Sequence, residues 1–408
     1  MGYFKDTLKG IGYMGGLQAF MVGIAVLKVA VLARILTPAQ FGVYGIALLV
    51  LGFLEVLTET GINVFLIQEK DDTELYLNSA WAVSIFRGFL IAATILITAP
   101  FVVSFFKMPQ ALFLLWIVAG VALVRGFINP MEVSFQKNLQ FAKEFGFKGS
   151  LYFIDAAFAV ILGFLTKSES SMVFSMLLAA IVEVVVSFLI FKRPTIEFDW
   201  QRVKRVINRG KWITGAGTFS YFFQNIDNIV VGRILGASSL GLYQQAYRIS
   251  TLPVSQVGEV FNKVTFPVYV QIGNDRERLK RAFTKTFITI IGLSLPFGII
   301  LLLFARPLIL IFLGAGWLDA EPVLKVLAIF GIFKAIVNSS YGLFLSLKRQ
   351  DIVMYSELFG IIGISIAILP LVYKYGIVGV GYSTIVGAFA SMPVIFINLK
   401  RIFNDEKV

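Results

Sequence analysis

Cysteine and histidine are both absent from this 408-residue sequence. Their absence excludes disulfide bonds, thiol nucleophiles, imidazole acid–base catalysis and metal sites built from Cys or His. Charge is scarce as well, because charged residues make up 15% of the chain, whereas soluble domains contain about 25%. Hydrophobic residues make up 58%, and a globular core of this size cannot hide so much apolar surface. The composition therefore predicts a polytopic membrane protein.

Apolar runs fill most of the sequence and leave little room for polar loops. A helix needs about 20 apolar residues to cross the hydrocarbon of a bilayer, and about twelve segments meet that requirement. We therefore predict an all-α membrane fold with no soluble domain, in which the first apolar run is a span rather than a cleaved signal. The predicted spans cover residues 11–34, 41–67, 79–105, 111–130, 149–166, 172–191, 212–235, 240–268, 286–313, 320–346, 353–372 and 377–398.

The basic residues, which give the chain a net charge of +12, are distributed unevenly between the loops. Most lie in the tails and in every second loop, whereas the alternate loops contain only Lys107, Lys167 and Lys374. By the positive-inside rule, we expect both termini in the cytoplasm and the protein in the cytoplasmic (inner) membrane. Because the basic residues border long apolar runs, the expected partner is an anionic membrane surface or ligand rather than nucleic acid.

Two segments of the chain repeat each other. VLARILTPAQFGVYGIA at 31–47 matches VVGRILGASSLGLYQQA at 230–246 in seven of 17 positions. Each copy closes one predicted span and opens the next, and six spans separate the copies, so both halves have the same orientation. Parallel repeats place a pseudo-two-fold axis along the membrane normal, with a binding site between the halves near the midplane. We predict two six-helix lobes, 1–191 and 212–408, around a central cavity.

The segment between the predicted lobes, 192–211, is basic and is expected on the cytoplasmic side. Val203, Val206 and Ile207 share one helical face, with basic side chains largely around it. Two interpretations stay open: an amphipathic helix that lies flat on the inner leaflet, and a solvated basic linker between the lobes.

Several cations fall inside predicted spans, where charge costs about 2.5–3.5 kcal/mol or more. They belong to five different spans, so together they suggest a basic cavity rather than isolated snorkelling side chains. Ammonium and guanidinium groups bind phosphate oxygens strongly where water is scarce, so the predicted ligand carries phosphate. The candidate substrate-binding residues are Lys28, Arg87, Arg125, Arg248 and Lys334.

Carboxylates and amides also fall within the predicted spans, among them a polar cluster in FFQNIDNIV. They are candidates either for a functional site or for structural hydrogen bonds between helices, and both interpretations stay open. Neither a Walker P-loop nor a GxGxxG loop occurs, so the sequence does not support nucleotide-driven transport. These polar residues are Glu55, Glu59, Glu183, Asp227, Asn225 and Asn228.

Two longer segments resemble a known family. LARILTPAQFGVYGIALLVLGFLEVLTETGINVFLIQEKD resembles the opening of polysaccharide flippases, in which an Arg-Leu-Leu-x-Pro-x-x-Phe-Gly pattern joins the first two spans. DNIVVGRILGASSLGLYQQAYRISTLPVSQVGEVFNKVTFPVYVQIGNDRERLKRAF is similar to their second-half signature. The resemblance is to the Wzx-type, colanic-acid-exporter-like branch of the polysaccharide transporter family, in the MOP superfamily. Many relatives have fourteen spans, whereas twelve are predicted here.

The resemblance implies a non-enzymatic flippase with two six-helix lobes arranged as a V. Its implied substrate is an undecaprenyl-pyrophosphate-linked oligosaccharide, moved to the periplasmic leaflet by alternating access during synthesis of lipopolysaccharide, O-antigen or exopolysaccharide. It also implies coupling by sodium, protons or membrane potential, and polysaccharide polymerase machinery as a partner.

Two other functions compete with this one. A drug or cation antiporter of the same superfamily would favour an acidic cavity, which the excess of buried cations argues against. A membrane glycan polymerase or ligase would need a large outer loop, and no predicted outer loop exceeds roughly ten residues.

Overall fold

A computed structural model describes residues 2–58, 73–195, 200–273 and 275–404. Within these ranges the regular structure is helical and contains no β-strand, which confirms the predicted all-α class. Short 3₁₀ helices also occur, at Pro130–Val133 and at Ala315–Ala320. The α-helices are α1 Gly2–Leu32, α2 Pro38–Leu57, α3 Thr73–Phe106, α4 Ala111–Gly126, α5 Ser134–Lys137, α6 Phe141–Thr166, α7 Ser170–Ile190, α8 Trp200–Ile272, α9 Arg276–Leu303, α10 Ala305–Phe312, α11 Glu321–Ser346 and α12 Gln350–Asn404.

Many of these helices are long and apolar enough to cross a membrane. Seven helices in the described ranges meet this requirement. There is an eighth candidate if the helices Ala111–Gly126 and Pro130–Lys137, which are bent by 68° relative to each other, form one span. Large apolar side chains cover the outside of the helices; Phe101, for example, is 73% exposed. Such exposure suits lipid, so the chain is a multi-pass membrane protein. The seven candidates in the described ranges are Gly15–Leu32, Pro38–Leu57, Leu77–Phe106, Phe141–Thr166, Ser170–Ile190, Arg276–Leu303 and Gln350–Phe403.

The helix α12 consists of two arms that fold back on each other at Gly376. The backbone there has φ 57° and ψ −135°, which ends the first arm. A Cβ atom added to Gly387 would lie 2.7 Å from the carbonyl oxygen of Gly360. A straight helix would separate these residues by about 40 Å, so the arms must be antiparallel. The break falls between the predicted spans 353–372 and 377–398, although the total of twelve spans stays a prediction.

The helix α8 reverses in the same way at Gly236, whose φ of 84° and ψ of −176° suit only glycine. The hydroxyl of Tyr243 donates a 2.7 Å hydrogen bond to Asp227, sixteen residues earlier. In a straight helix these residues would be about 24 Å apart. The reversal falls between the predicted spans 212–235 and 240–268.

The first repeat copy turns at the corresponding place. Thr37 caps α2: its hydroxyl accepts from the backbone of Gln40, and the Gln40 side chain accepts from the backbone N–H of Thr37 at 2.9 Å. Thr37 and Gly236 occupy equivalent positions in the aligned segments 31–47 and 230–246. Each repeat copy therefore contains a turn between two helical segments, and different residues build the two turns.

The chain divides into two compact units, unit 1 (Met1–Asn225) and unit 2 (Ile226–Val408). In unit 1, glycines allow α3 and α4 to touch, since a Cβ on Gly88 would lie 3.0 Å from the Cα of Gly126. In unit 2, Tyr269, Phe283 and Phe344 lie in one apolar cluster. The predicted lobes 1–191 and 212–408, the linker 192–211 and the central cavity stay predictions, and the side chains of 196–211 lie outside the described residues.

The close contact inside α12 gives a stability prediction. Gly387→Ala is expected to lower the free energy of unfolding by about 1–3 kcal/mol, because the new methyl would overlap the side chain of Ile364. Gly292→Ala is the matched control, because no atom lies within 4 Å of its Cβ position. Thermal denaturation in detergent checks both variants. Equal melting temperatures would show that the arms of α12 do not pack at Gly387.

Candidate functional site

Glu55, in unit 1, contacts two of the predicted cations, one through its carboxylate and one through its backbone carbonyl. The Arg125 guanidinium, on α4, forms an ion pair with Glu55 on α2 at 2.9 Å. Arg87, on α3, donates from Nη2 to the backbone carbonyl of Glu55 at 2.7 Å and from Nε to the Thr58 hydroxyl at 3.0 Å. The side chains of Arg125 and Glu55 are 39% and 36% exposed, so a ligand can reach them. Three helices thus place two guanidinium groups around one acidic residue.

Lys28 lies in a separate ion pair of unit 1. Its ammonium, on α1, is 2.6 Å from the carboxylate of Asp155 on α6. Ser175, on α7, donates to the other carboxylate oxygen at 2.9 Å. The Lys28 side chain is only 13% exposed, so an anionic ligand would reach its ammonium only by displacing the Asp155 carboxylate.

The structure adds two buried carboxylates that the sequence analysis did not select. Glu144, on α6, is 1% exposed; its Oε1 accepts from Gln136 at 2.7 Å and is 3.2 Å from the Lys148 ammonium. Glu132, on the 3₁₀ helix Pro130–Val133, also has a buried carboxylate oxygen. Among the described residues, neither Glu132 Oε2 nor Glu144 Oε2 has a hydrogen-bond partner. The predicted site residue Glu183 lies on α7 in the same unit and is partly buried.

Asp227 is the most buried of the predicted polar residues in unit 2, at 5% exposed. One carboxylate oxygen accepts the Tyr243 hydroxyl at 2.7 Å. The other accepts the backbone N–H of Asn228 at 2.7 Å and its side-chain amide at 3.1 Å. Asn225 does not join this group, because its amide donates to the carbonyl of Tyr221 at 2.9 Å. Asp227 thus has partners on both arms of α8.

Lys334, on α11, lies against the same part of α8. Its ammonium donates to the Tyr247 hydroxyl at 3.0 Å and lies 5.3 Å and 5.8 Å from the ring centres of Tyr247 and Phe330. The Tyr243 and Tyr247 rings are 6.0 Å apart, so the lysine and Asp227 are joined through two tyrosines. Arg248, which follows Tyr247 in the sequence, is an exposed residue of unit 2.

The structure therefore groups the predicted residues within each unit. Arg87 and Arg125 meet at Glu55, whereas Lys28 lies in its own pair. Glu59 lies outside the described residues. That all five cations face one chamber stays a prediction. The tyrosines and Ser175 were missed because hydroxyl residues are common in apolar helices, although Tyr243 is one of the identities in the repeat.

Comparison with known proteins identifies the family that this sequence matches. The model of the polysaccharide biosynthesis protein family matches residues 31–322, which include both segments that resemble flippases. The chain belongs to this family. A curated relative, the teichuronic acid biosynthesis protein TuaB of Bacillus subtilis, is 26% identical over 368 residues, covering 86% of this chain and 75% of the relative. The Wzx-type resemblance is thereby confirmed.

Two further similarities extend this family assignment. The lipopolysaccharide biosynthesis protein WzxC of Escherichia coli is 23% identical over 359 residues, which cover 85% of this chain and 71% of that protein. The solved structure of the lipid II flippase MurJ in an inward closed conformation superposes with a TM-score of 0.76. It covers 94% of this chain and 86% of MurJ at 15% identity, so this likeness shows a shared fold.

Proposed function

We propose that this family member is a flippase that moves a lipid-linked oligosaccharide across the cytoplasmic membrane for surface polysaccharide synthesis. The observation that carries the proposal is the pair of guanidinium groups at Glu55, within an apolar helical unit: Arg125 pairs with its accessible carboxylate, and Arg87 donates to its backbone carbonyl. The named roles of TuaB and WzxC in polysaccharide synthesis and the fold shared with a lipid II flippase support it.

The proposed substrate is an undecaprenyl-pyrophosphate-linked oligosaccharide, whose pyrophosphate provides the negative charge. Guanidinium groups bind phosphate oxygens with paired hydrogen bonds, so pyrophosphate competes with Glu55 for Arg125. Lys28, Arg248 and Lys334 are the further cations assigned to the substrate. The polyprenyl tail stays in lipid while the head group passes between the halves, which alternate in their access to the two sides.

Carboxylates within the helices provide the proposed coupling site for a sodium ion or a proton. Substrate binding must stay moderate in both states, since a tightly bound substrate would stop the transport cycle. The residues assigned to coupling are Glu55, Glu59, Glu183 and Asp227, with Asn225 and Asn228 as polar neighbours.

The proposed location is the inner membrane with both termini in the cytoplasm, because the basic loops favour that orientation. The protein acts as a transporter rather than an enzyme, and polysaccharide polymerase machinery receives its product.

Depletion of the protein tests the function. Lipid-linked oligosaccharide is expected to accumulate in the inner leaflet, where a membrane-impermeant sugar-modifying reagent labels it in inverted vesicles but not in spheroplasts. Accumulation in the outer leaflet would instead indicate a polymerase or ligase. No accumulation at all would contradict the flippase proposal and favour an antiporter.

A further inference from the structure

The exposed face of α9 changes character along its length. Its buried face is apolar apart from Ser294, with Leu279, Phe283 and Ile290 each less than a tenth exposed. The opposite face begins with basic and hydroxyl side chains and, apart from Thr289, becomes apolar from Ile288, which is 63% exposed, onward. This pattern places the boundary between polar head groups and hydrocarbon beside the first turns of α9.

A shallow groove of about 550 Å³, open to the outside and lined by α9 alone, follows the polar part of that face. Its lining has an excess of positive charge, with three basic side chains and one carboxylate. The lining residues on which the argument depends are Glu277, Lys280, Arg281, Thr284, Lys285 and Ile288.

Within the described ranges, Glu277 balances only part of the positive charge of this groove. Arg281 donates from Nε to the backbone carbonyl of Glu277 at 3.3 Å, which occupies one of its five donors. In the part of the chain that the structure describes, Lys280 and Lys285 form no ion pair. An anion that entered the groove would therefore meet two ammonium groups and one guanidinium group at the membrane surface.

We infer that this groove binds the phosphate head group of an anionic phospholipid in the leaflet where α9 begins. Basic clusters beside a membrane-spanning helix attract anionic head groups, and each lysine or arginine adds to the attraction. The apolar face that starts at Ile288 lies next to the groove and contacts the acyl chains of the same lipid, which a soluble phosphate could not use. The inference is independent of the transported substrate.

Lipid retention by the purified full-length protein tests this site. Native mass spectrometry compares phosphatidylglycerol with phosphatidylcholine of the same chain length, using the wild type and Lys280→Gln/Arg281→Gln/Lys285→Gln. The wild type is expected to retain one tightly bound phosphatidylglycerol. The variant should bind it on the order of 100-fold more weakly at low ionic strength, since each charge contributes about five-fold. Added salt should reduce the difference.

A matched control removes the same amount of charge elsewhere. Lys143→Gln/Arg193→Gln/Lys400→Gln replaces three exposed basic residues from separate segments outside the groove, and it should retain the lipid. Lys280→Arg/Lys285→Arg keeps the charge and should also retain it. The proposed site would be overturned if both triple variants bound phosphatidylglycerol equally weakly, or if the groove variant bound it as tightly as the wild type. It would also be overturned if the wild type retained phosphatidylcholine as well as phosphatidylglycerol.

Discussion

Arg125→Ala is expected to lower glycan export on the order of 10- to 100-fold while the amount of protein in the membrane stays unchanged. The expected loss corresponds to one charge-assisted contact, worth about 1.5–3 kcal/mol. Arg125 and its partner Glu55 are both more than a third exposed, so the ion pair contributes little to stability. The loss should therefore fall on substrate binding. Export per molecule of membrane protein, measured by immunoblot and surface glycan, checks this result.

Two further variants separate substrate binding from a structural role. Glu55→Gln/Arg125→Ala leaves no carboxylate without its partner, so a structural defect would be repaired and a substrate-binding defect would persist. Because Glu55 is also assigned to coupling, the readout is binding of the lipid-linked substrate to the purified protein rather than export. We expect the binding defect to persist. Arg306→Ala is the matched control, because Arg306 is an exposed arginine of unit 2, and it should leave export unchanged. Normal export in Arg125→Ala would remove Arg125 from the proposed site.

Hydropathy and the repeat predicted the helical architecture well because both depend on local sequence. The gaps between predicted spans contain Gly236 and Gly376, where the structure reverses the chain. Helix ends were predicted less well. The helix α9 begins at Arg276 rather than at residue 286, because hydropathy marks the part of a helix in hydrocarbon and not the turns that continue into the polar surface.

The partners of the charged residues could not be predicted, because they lie far apart in sequence. Lys28 and Asp155 are separated by 127 positions, and only the packing of α1 against α6 brings them together. Glu144 was overlooked for another reason. It lies in the segment 131–149, which its polar residues and Lys/Arg content identify as a loop, whereas in the structure Glu144 belongs to the first turn of α6 and its carboxylate is buried.

The repeat also relates two charged sites. With segments 31–47 and 230–246 aligned, Lys28 and Asp227 occupy equivalent positions three residues before the repeat begins. Each is partnered within its own unit, Lys28 by Asp155 and Asp227 by Tyr243. The two halves therefore keep a charge at equivalent positions of the aligned sequence and reverse its sign.

Lys28→Ala is expected to reduce the amount of folded protein sharply, in contrast to Arg125→Ala. The substitution leaves Asp155 without its 2.6 Å ammonium partner at a site only 23% exposed. Breaking a buried ion pair in this way costs about 3–5 kcal/mol, a large part of the roughly 5–15 kcal/mol that stabilises a folded protein. Fluorescence-detected size-exclusion chromatography and melting temperature in detergent measure this loss.

Lys28→Met/Asp155→Asn then decides what Lys28 does. The double variant removes both charges at similar volume, and the oxygen of the new amide can still accept the Ser175 hydroxyl, so the folded amount should return to near the wild-type level. If the Lys28 ammonium binds pyrophosphate, export should stay low although the protein is stable, which is the outcome we expect. Normal export from the double variant would instead assign Lys28 to packing between α1 and α6, because a neutral methionine cannot attract phosphate.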